Sequence, residues 1–353
     1  MLSRVANSIY WLSRYIERAD NVARFVSVNL DLMLDADVGQ EQQWQPLINT
    51  SGDHNDFEKR YGEATQENVI QFLAFDKENP NSILSCLRAA RENARQVREI
   101  IVSSMWQQVN EFYLFVRDNA AQPDRIESLN RFFIQVRRGT STHMGLTDST
   151  MTRGEPYHFS RLGRMLERAD KTSRIVDMKY FILLKSISDI GTPIDHVQWS
   201  AVLRSASAFE MYRKQHGAIS PFKVVDFLLF SHEFPRAVRF CLDRAAESLH
   251  AITKTPEGQV RSDLERVMGS LRSDFTYNRS NQVIESGLHE YLDDLQDRLN
   301  QVGTQVHQTF FARKVPASGE SSRHRASSES DSVFTAKPIA PKTLPTGSQT
   351  QTS

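Results

Sequence analysis

The chain has 353 residues, enough for one large core or for two domains of ordinary size. Its 43 Lys and Arg are matched by 43 Asp and Glu, so no overall charge draws it to nucleic acid or to an anionic membrane. Cys86 and Cys241 are its only cysteines, which excludes a disulfide framework and any CxxC metal or redox spacing and fits two small buried residues in a reducing cytoplasm.

In chain order, MLSRVANSIYWLSRYIERAD places Arg4, Arg14 and Glu17 among apolar residues at helical spacing. This reads as an amphipathic helix and not as a signal peptide. Helices are predicted over 3–35, 44–61, 66–76, 81–119 with a break, and 124–138. The stretch GTSTHMGLTDSTMTRGEPYHF, Gly139 to Phe159, has three glycines, many hydroxyl residues and one proline. It is expected to be a loop, with 139–156 connecting two halves. Helices are expected again over 157–188, 196–215, 221–230, 235–253, 257–276 and 281–312. Pro80 and Pro235 are expected where helices start, and Thr65 and Ser160 as helix caps. The apolar runs FILL (181–184) and FLLF (227–230) are far short of the ~20 residues of a membrane helix. After Lys314 the chain is rich in Ser, Thr and Pro, and residues 314–353 are expected to be a disordered tail. The alternating β-branched runs of a sheet are missing, so the fold class is all-α.

The chain also repeats itself. At an offset of 150, Leu12, Arg14, Glu17, Arg18, Ala19, Asp20, Arg24 and Val26 recur as Leu162, Arg164, Glu167, Arg168, Ala169, Asp170, Arg174 and Val176. VIQFLAFDKENPNSILSCLRAARE (69–92) matches VVDFLLFSHEFPRAVRFCLDRAAE (224–247) at an offset of 155. Such a period is too long for a solenoid and implies a duplicated half, 1–138 and 157–313, related by a pseudo-twofold axis. Because the cysteines are copied too, neither reads as a catalytic nucleophile.

On a helical wheel Leu12, Tyr15, Ala19, Ala23, Val26 and Leu30 form the stripe to be buried, while Glu17, Asn21 and Arg24 lie opposite. The second copy turns Glu167, Lys171 and Arg174 away from Leu162, Met165, Leu166, Ala169 and Val176. Three readings of this charged face stand. It is plain solvated surface, where such pairs add only about 0.2–0.5 kcal/mol each. It is a polar seam between the two copies, with Glu17 and Glu167 near Arg174 and Arg24. Or it is a ligand site in which arginines and carboxylates hold a phosphate, a carboxylate or a zwitterion. Asp148, Thr150 and Arg153, just ahead of the second charged helix, are candidate contributors to an anion site or caps of that helix.

ERADNVAR, the pair FLAFDKENPNSI and FLLFSHEFPRAV, and GLTDSTMTRGEPYHFSRLGRMLERADKTSRIVDMKY together resemble the alpha-E family of bacterial all-helical proteins, over roughly residues 1–312. The resemblance implies partners more than a reaction. Such proteins are encoded or fused beside a circularly permuted ATP-grasp amide ligase, a transglutaminase-like thiol peptidase and sometimes a proteasome-like peptidase. It carries over no catalytic residues, so Arg14, Glu17, Arg18, Asp20, Arg24, Arg164, Glu167, Arg168, Asp170 and Arg174 enter as a motif only.

The sequence itself has no Walker loop, GxGxxG, HExxH or CxxC, and its histidines lack ligand spacing, so no cofactor and no metal are expected. The expected function is accessory and non-catalytic, in a cytoplasmic peptide-synthesis or peptide-tagging system. Two other readings are an enzyme of that system using Glu17 or Glu167 as acid or base, which requires a raised glutamate pKa, and a purely structural bundle.

Overall fold

Two long helices organise the computed structural model. It describes residues 1–35, 41–121, 128–183, 193–256, 258–277 and 280–312. The expected tail over 314–353, and the parts of predicted helices at 124–127, 184–188 and 257, lie outside those residues. Among the described residues every regular element is helical. The long helices are α1 (Ser3–Asp35) and α8 (Glu155–Leu183).

Between them come α2 (Glu41–Ser51), α3 (His54–Tyr61), α4 (Gln66–Ile70), α5 (Ile83–Gln96), α6 (Ser103–Ala121) and α7 (Leu129–Thr150). After α8 come α9 (Pro193–Ser205), α10 (Phe209–His216), α11 (Pro221–Val225), α12 (Val238–Thr253), α13 (Asp263–Tyr277), α14 (Ser280–Ser286) and α15 (Leu288–Val306). α1 packs on α5, α7 and α8, and α8 packs on α1, α12 and α15. Met1–Ala312 therefore form one unit, and the two expected halves are not separate domains.

Each long helix feeds both apolar cores. Tyr10 and Phe25 of α1 are buried among residues of the second half, and Phe159 and Met178 of α8 among residues of the first. The two helices approach closely because Gly163 faces the Tyr10 carbonyl, where a Cβ would come within 2.4 Å of the oxygen. Beside that contact the hydroxyls of Ser13 and Ser160 share a hydrogen bond of 2.8 Å. Ser160 is thus inside α8 and not a cap, because the helix starts five residues earlier, at Glu155. Thr65 is a cap, accepting from the Asn68 amide.

The expected loop over 139–156 is a correction. α7 runs through to Thr150, and only residues 151–154 separate it from α8. The hydroxyls that suggested a loop are satisfied within the helix: Thr140, Ser141, Thr142, Thr147, Ser149 and Thr150 each donate to the carbonyl four residues back. Gly139 serves packing, since a Cβ there would meet the Phe112 ring at 2.8 Å.

Several predicted helices are broken where the backbone turns. Gly52 (φ 82°) separates α2 from α3, Ser207 (φ 50°) lies between α9 and α10, and Gly287 (φ 107°) separates α14 from α15. Pro80 and Pro235 lie in the turns before α5 and α12, not in their first helical turns.

The matched stretches also match in local structure. α4 and α11 each run into one buried π-helical turn, Gln71–Phe75 and Asp226–Phe230. Gly62 and Gly217 share φ 70°. The Cys86 and Cys241 thiols each point to a proline carbonyl, of Pro80 and Pro235, at 3.7 Å.

Candidate functional site: a crossed Glu–Arg seam and an arginine cavity

The charged faces of α1 and α8 are turned toward each other. Glu17 is 1% exposed and Glu167 is wholly buried, which removes the solvated-surface reading. Their pairing is crossed. Glu17 accepts from Arg168 through both oxygens at 2.8 Å, and Glu167 accepts from Arg18 through both at 2.7 and 3.1 Å. Each helix thus supplies the carboxylate for the other's arginine. The expected partners, Arg174 and Arg24, instead pair within their own helices, with Asp170 at 3.1 Å and Asp20 at 2.7 Å. An arginine directly after its glutamate points across to the facing helix, whereas one four residues after an aspartate lies above it on the same face.

Each carboxylate has a second guanidinium. Arg14 reaches Glu167 at 2.7 Å from within α1. Glu17 receives its second from Arg236, at 3.1 Å, in the turn ahead of α12; Arg236 also donates to Asp20 at 2.6 Å. At the equivalent place in the first half stands Asn81, which accepts from Arg18 at 2.7 Å and donates to Asp53. Lys171 completes the seam at 3.0 Å from Asp170 and 3.9 Å from Glu167.

Burial raises both glutamates, but the guanidinium groups outweigh it. Arg168 and Arg236 hold Glu17 far below the usual carboxylate range. Arg18, Arg14 and Lys171 hold Glu167 at about 2. Asp170, buried against Arg174 and Lys171, is also driven well down. Both glutamates are charged at neutral pH, and both oxygens of each accept from guanidinium groups.

The remaining expected residues lie at one edge of the seam. Arg164, Asp148 and Arg153 line a cavity of about 560 Å³, with Arg164 3.6 Å and Arg153 3.8 Å from the same Asp148 oxygen. Arg153 also stacks on Tyr157 at 4.0 Å. Thr150 is not part of it: its hydroxyl is spent on the Leu146 carbonyl at 2.6 Å. His143, buried near Arg164, is pushed down to about 3 by burial first and by that arginine second, so it is neutral.

Arg161, Arg236 and Arg244 were not among the expected residues. Each stands where the matched position of the first half has no charge, namely Trp11, Asn81 and Ala89. A comparison of the two stretches for gained charge, and not only for identity, includes them, together with Lys171 opposite Asn21 and Arg239 opposite Leu84.

Among the described residues, one other cluster has side chains of the kind that bind metals. Asp177, His289 and Asp293 lie together, with His289 Nδ1 2.6 Å from Asp177 and Nε2 3.5 Å from Asp293. Both ring nitrogens already face carboxylates, which suits an ion-paired bridge.

Among the described residues, no helix is long and apolar enough to cross a membrane. The family described as "a predicted alpha-helical domain with a conserved ER motif", Alpha-E, matches residues 1–311. Uncharacterized proteins of Mycobacterium bovis and Mycobacterium tuberculosis are each 19% identical over 330 residues, covering 84% of this chain and 36% of theirs. The chain therefore spans about a third of the length of these curated relatives. No solved structure matches.

Proposed function

This chain belongs to the Alpha-E family, and we propose that it is a non-catalytic accessory component of a cytoplasmic peptide-synthesis or peptide-tagging system. In this reading it is one protein built from two copies of a helical half. Its partners are a circularly permuted ATP-grasp amide ligase, a transglutaminase-like peptidase and, in some systems, a proteasome-like peptidase.

The observation that carries the reading is the state of Glu17 and Glu167. General acid–base work at neutral pH favours a carboxyl with a raised pKa and room for a substrate proton. Here both are lowered and closed in by guanidinium groups. The Glu-Arg pairs act as a crossed lock that sets the angle between α1 and α8, and so fixes the surface around them for a partner. A buried seam whose two glutamates are each paired with two arginines suits specificity of structure more than added stability.

The test is co-purification of the tagged chain with the neighbouring ligase, with product formation followed with and without the chain. The expected result is co-elution, faster or redirected product formation by the ligase, and no turnover by the chain alone. Turnover of a peptide substrate by the chain alone, or no co-elution, would sink the proposal.

A further inference from the structure

The two crossed carboxylates are served differently, and the difference frees one arginine. Glu167 is held by Arg18 and Arg14. Glu17 is held by Arg168 and Arg236, so Arg164, the match of Arg14, makes no hydrogen bond to Glu17 and acts on it through its charge alone. Its Nε, the atom that on Arg14 donates to Glu167, is buried and has no acceptor among the described residues. Its Nη2 comes only to 3.6 Å from Asp148, which it shares with Arg153 and the Tyr157 hydroxyl. Burial first, and the charge of Arg168 second, push the Arg164 pKa down, as expected of a cation short of counter-charge.

Arg164 lines the cavity of about 560 Å³ together with Arg153, Arg161, Arg168 and Arg244. Asp148 is the acid in that lining; Glu247 lies outside it at 2.7 Å from Arg161 and 2.6 Å from Arg244, and Glu17 pairs with Arg168. Five arginines against these three acids leave two positive charges, and burial, with the charge of Arg161, lowers the His158 pKa. Met144, Met165 and Phe240 add an apolar side. The volume is that of a small-molecule site, and planar guanidinium groups are the usual choice for binding oxyanions through paired hydrogen bonds.

We propose that this cavity binds a small ligand carrying a phosphate or carboxylate group on an apolar body, with the guanidinium groups of Arg164, Arg161 and Arg244 as its donors. The site does not depend on which proteins the chain works with, because the assay uses the full chain alone.

Thermal unfolding is followed while the chain is titrated with inorganic phosphate, with succinate, and with potassium chloride at matched ionic strength. A saturable rise in Tm is expected with phosphate or succinate and not with chloride, and the oxyanion giving the larger rise identifies the ligand's anionic group. Arg164→Met, and separately Arg161→Ala with Arg244→Ala, are expected to weaken that saturation at least tenfold. In the absence of oxyanion, Arg164→Met should leave Tm unchanged or raise it, since it removes a buried cation short of counter-charge; an arginine with only a structural role would lower it. The double variant changes residues more exposed than Arg164 and keeps the test decisive if Arg164→Met does not fold. No saturable response to either oxyanion, or a response unchanged in these variants, overturns the proposal.

Discussion

Replacing Glu17 by Gln keeps the side chain's shape but removes its charge and turns one acceptor oxygen into an amide donor. In the folded protein that donor would face guanidinium groups, because Arg168 occupies both Glu17 oxygens at 2.8 Å and Arg236 adds a third bond at 3.1 Å. Arg236 keeps Asp20 as a partner at 2.6 Å, whereas Arg168 keeps only the Pro235 carbonyl and the Met144 sulfur. Breaking a buried pair by removing one partner costs about 3–5 kcal/mol, mostly from the charge left behind. At about 2 °C per kcal/mol for a chain of this size, Tm should fall by about 6–10 °C, measured by circular dichroism at neutral pH. The double variant Glu17→Gln with Arg168→Met should lose less than Glu17→Gln alone, because no unpaired guanidinium is left opposite the amide. A Glu17→Gln protein within about 1 kcal/mol of wild type, or a double variant whose loss is the sum of the two single losses, would refute the crossed lock.

Gly163→Ala puts a methyl group 2.4 Å from the Tyr10 carbonyl oxygen and should destabilise by about 1–3 kcal/mol or more in thermal unfolding, with α1 and α8 forced apart. Glu167 has a folded pKa of about 2, below its ordinary 4.5, so its contribution is complete above pH 4.5 and is lost as pH falls through 2. Glu167→Gln should therefore flatten the dependence of Tm on pH in that window, and a slope equal to that of wild type would contradict the pairing. Burial pushes the Cys86 and Cys241 thiols up to about 12, so a thiol reagent should find neither in the native protein and both after denaturation. Fast labelling of either native thiol would show that its helix opens.

The helical class was legible because apolar residues recur every three or four positions, a pattern set by local geometry. The helix expected over 3–35 is α1, Ser3–Asp35, and the matched stretches 69–92 and 224–247 do carry the same π-helical turns. Residues 139–150 have the composition of a loop yet form a helix, because Ser and Thr favour a loop only when their hydroxyls bond outside the helix. Here those groups bond the preceding turn and Gly139 admits Phe112, which depends on a helix packed nearby.

What the sequence determined by itself is which side chains share a face: Glu17 opposite Leu12 and Ala19, and the same layout around Glu167. Helical periodicity is a property of one segment and needs no neighbour. Only the tertiary structure decided what those faces meet. It buried both charged faces against each other, crossed Glu17 to Arg168 and Glu167 to Arg18, and brought Arg236 in from α12's leading turn. With Arg236 holding Glu17, Arg164 faces the cavity instead. That outcome depends on the distance between residues some 70 to 220 positions apart, which chain packing sets and no local pattern encodes.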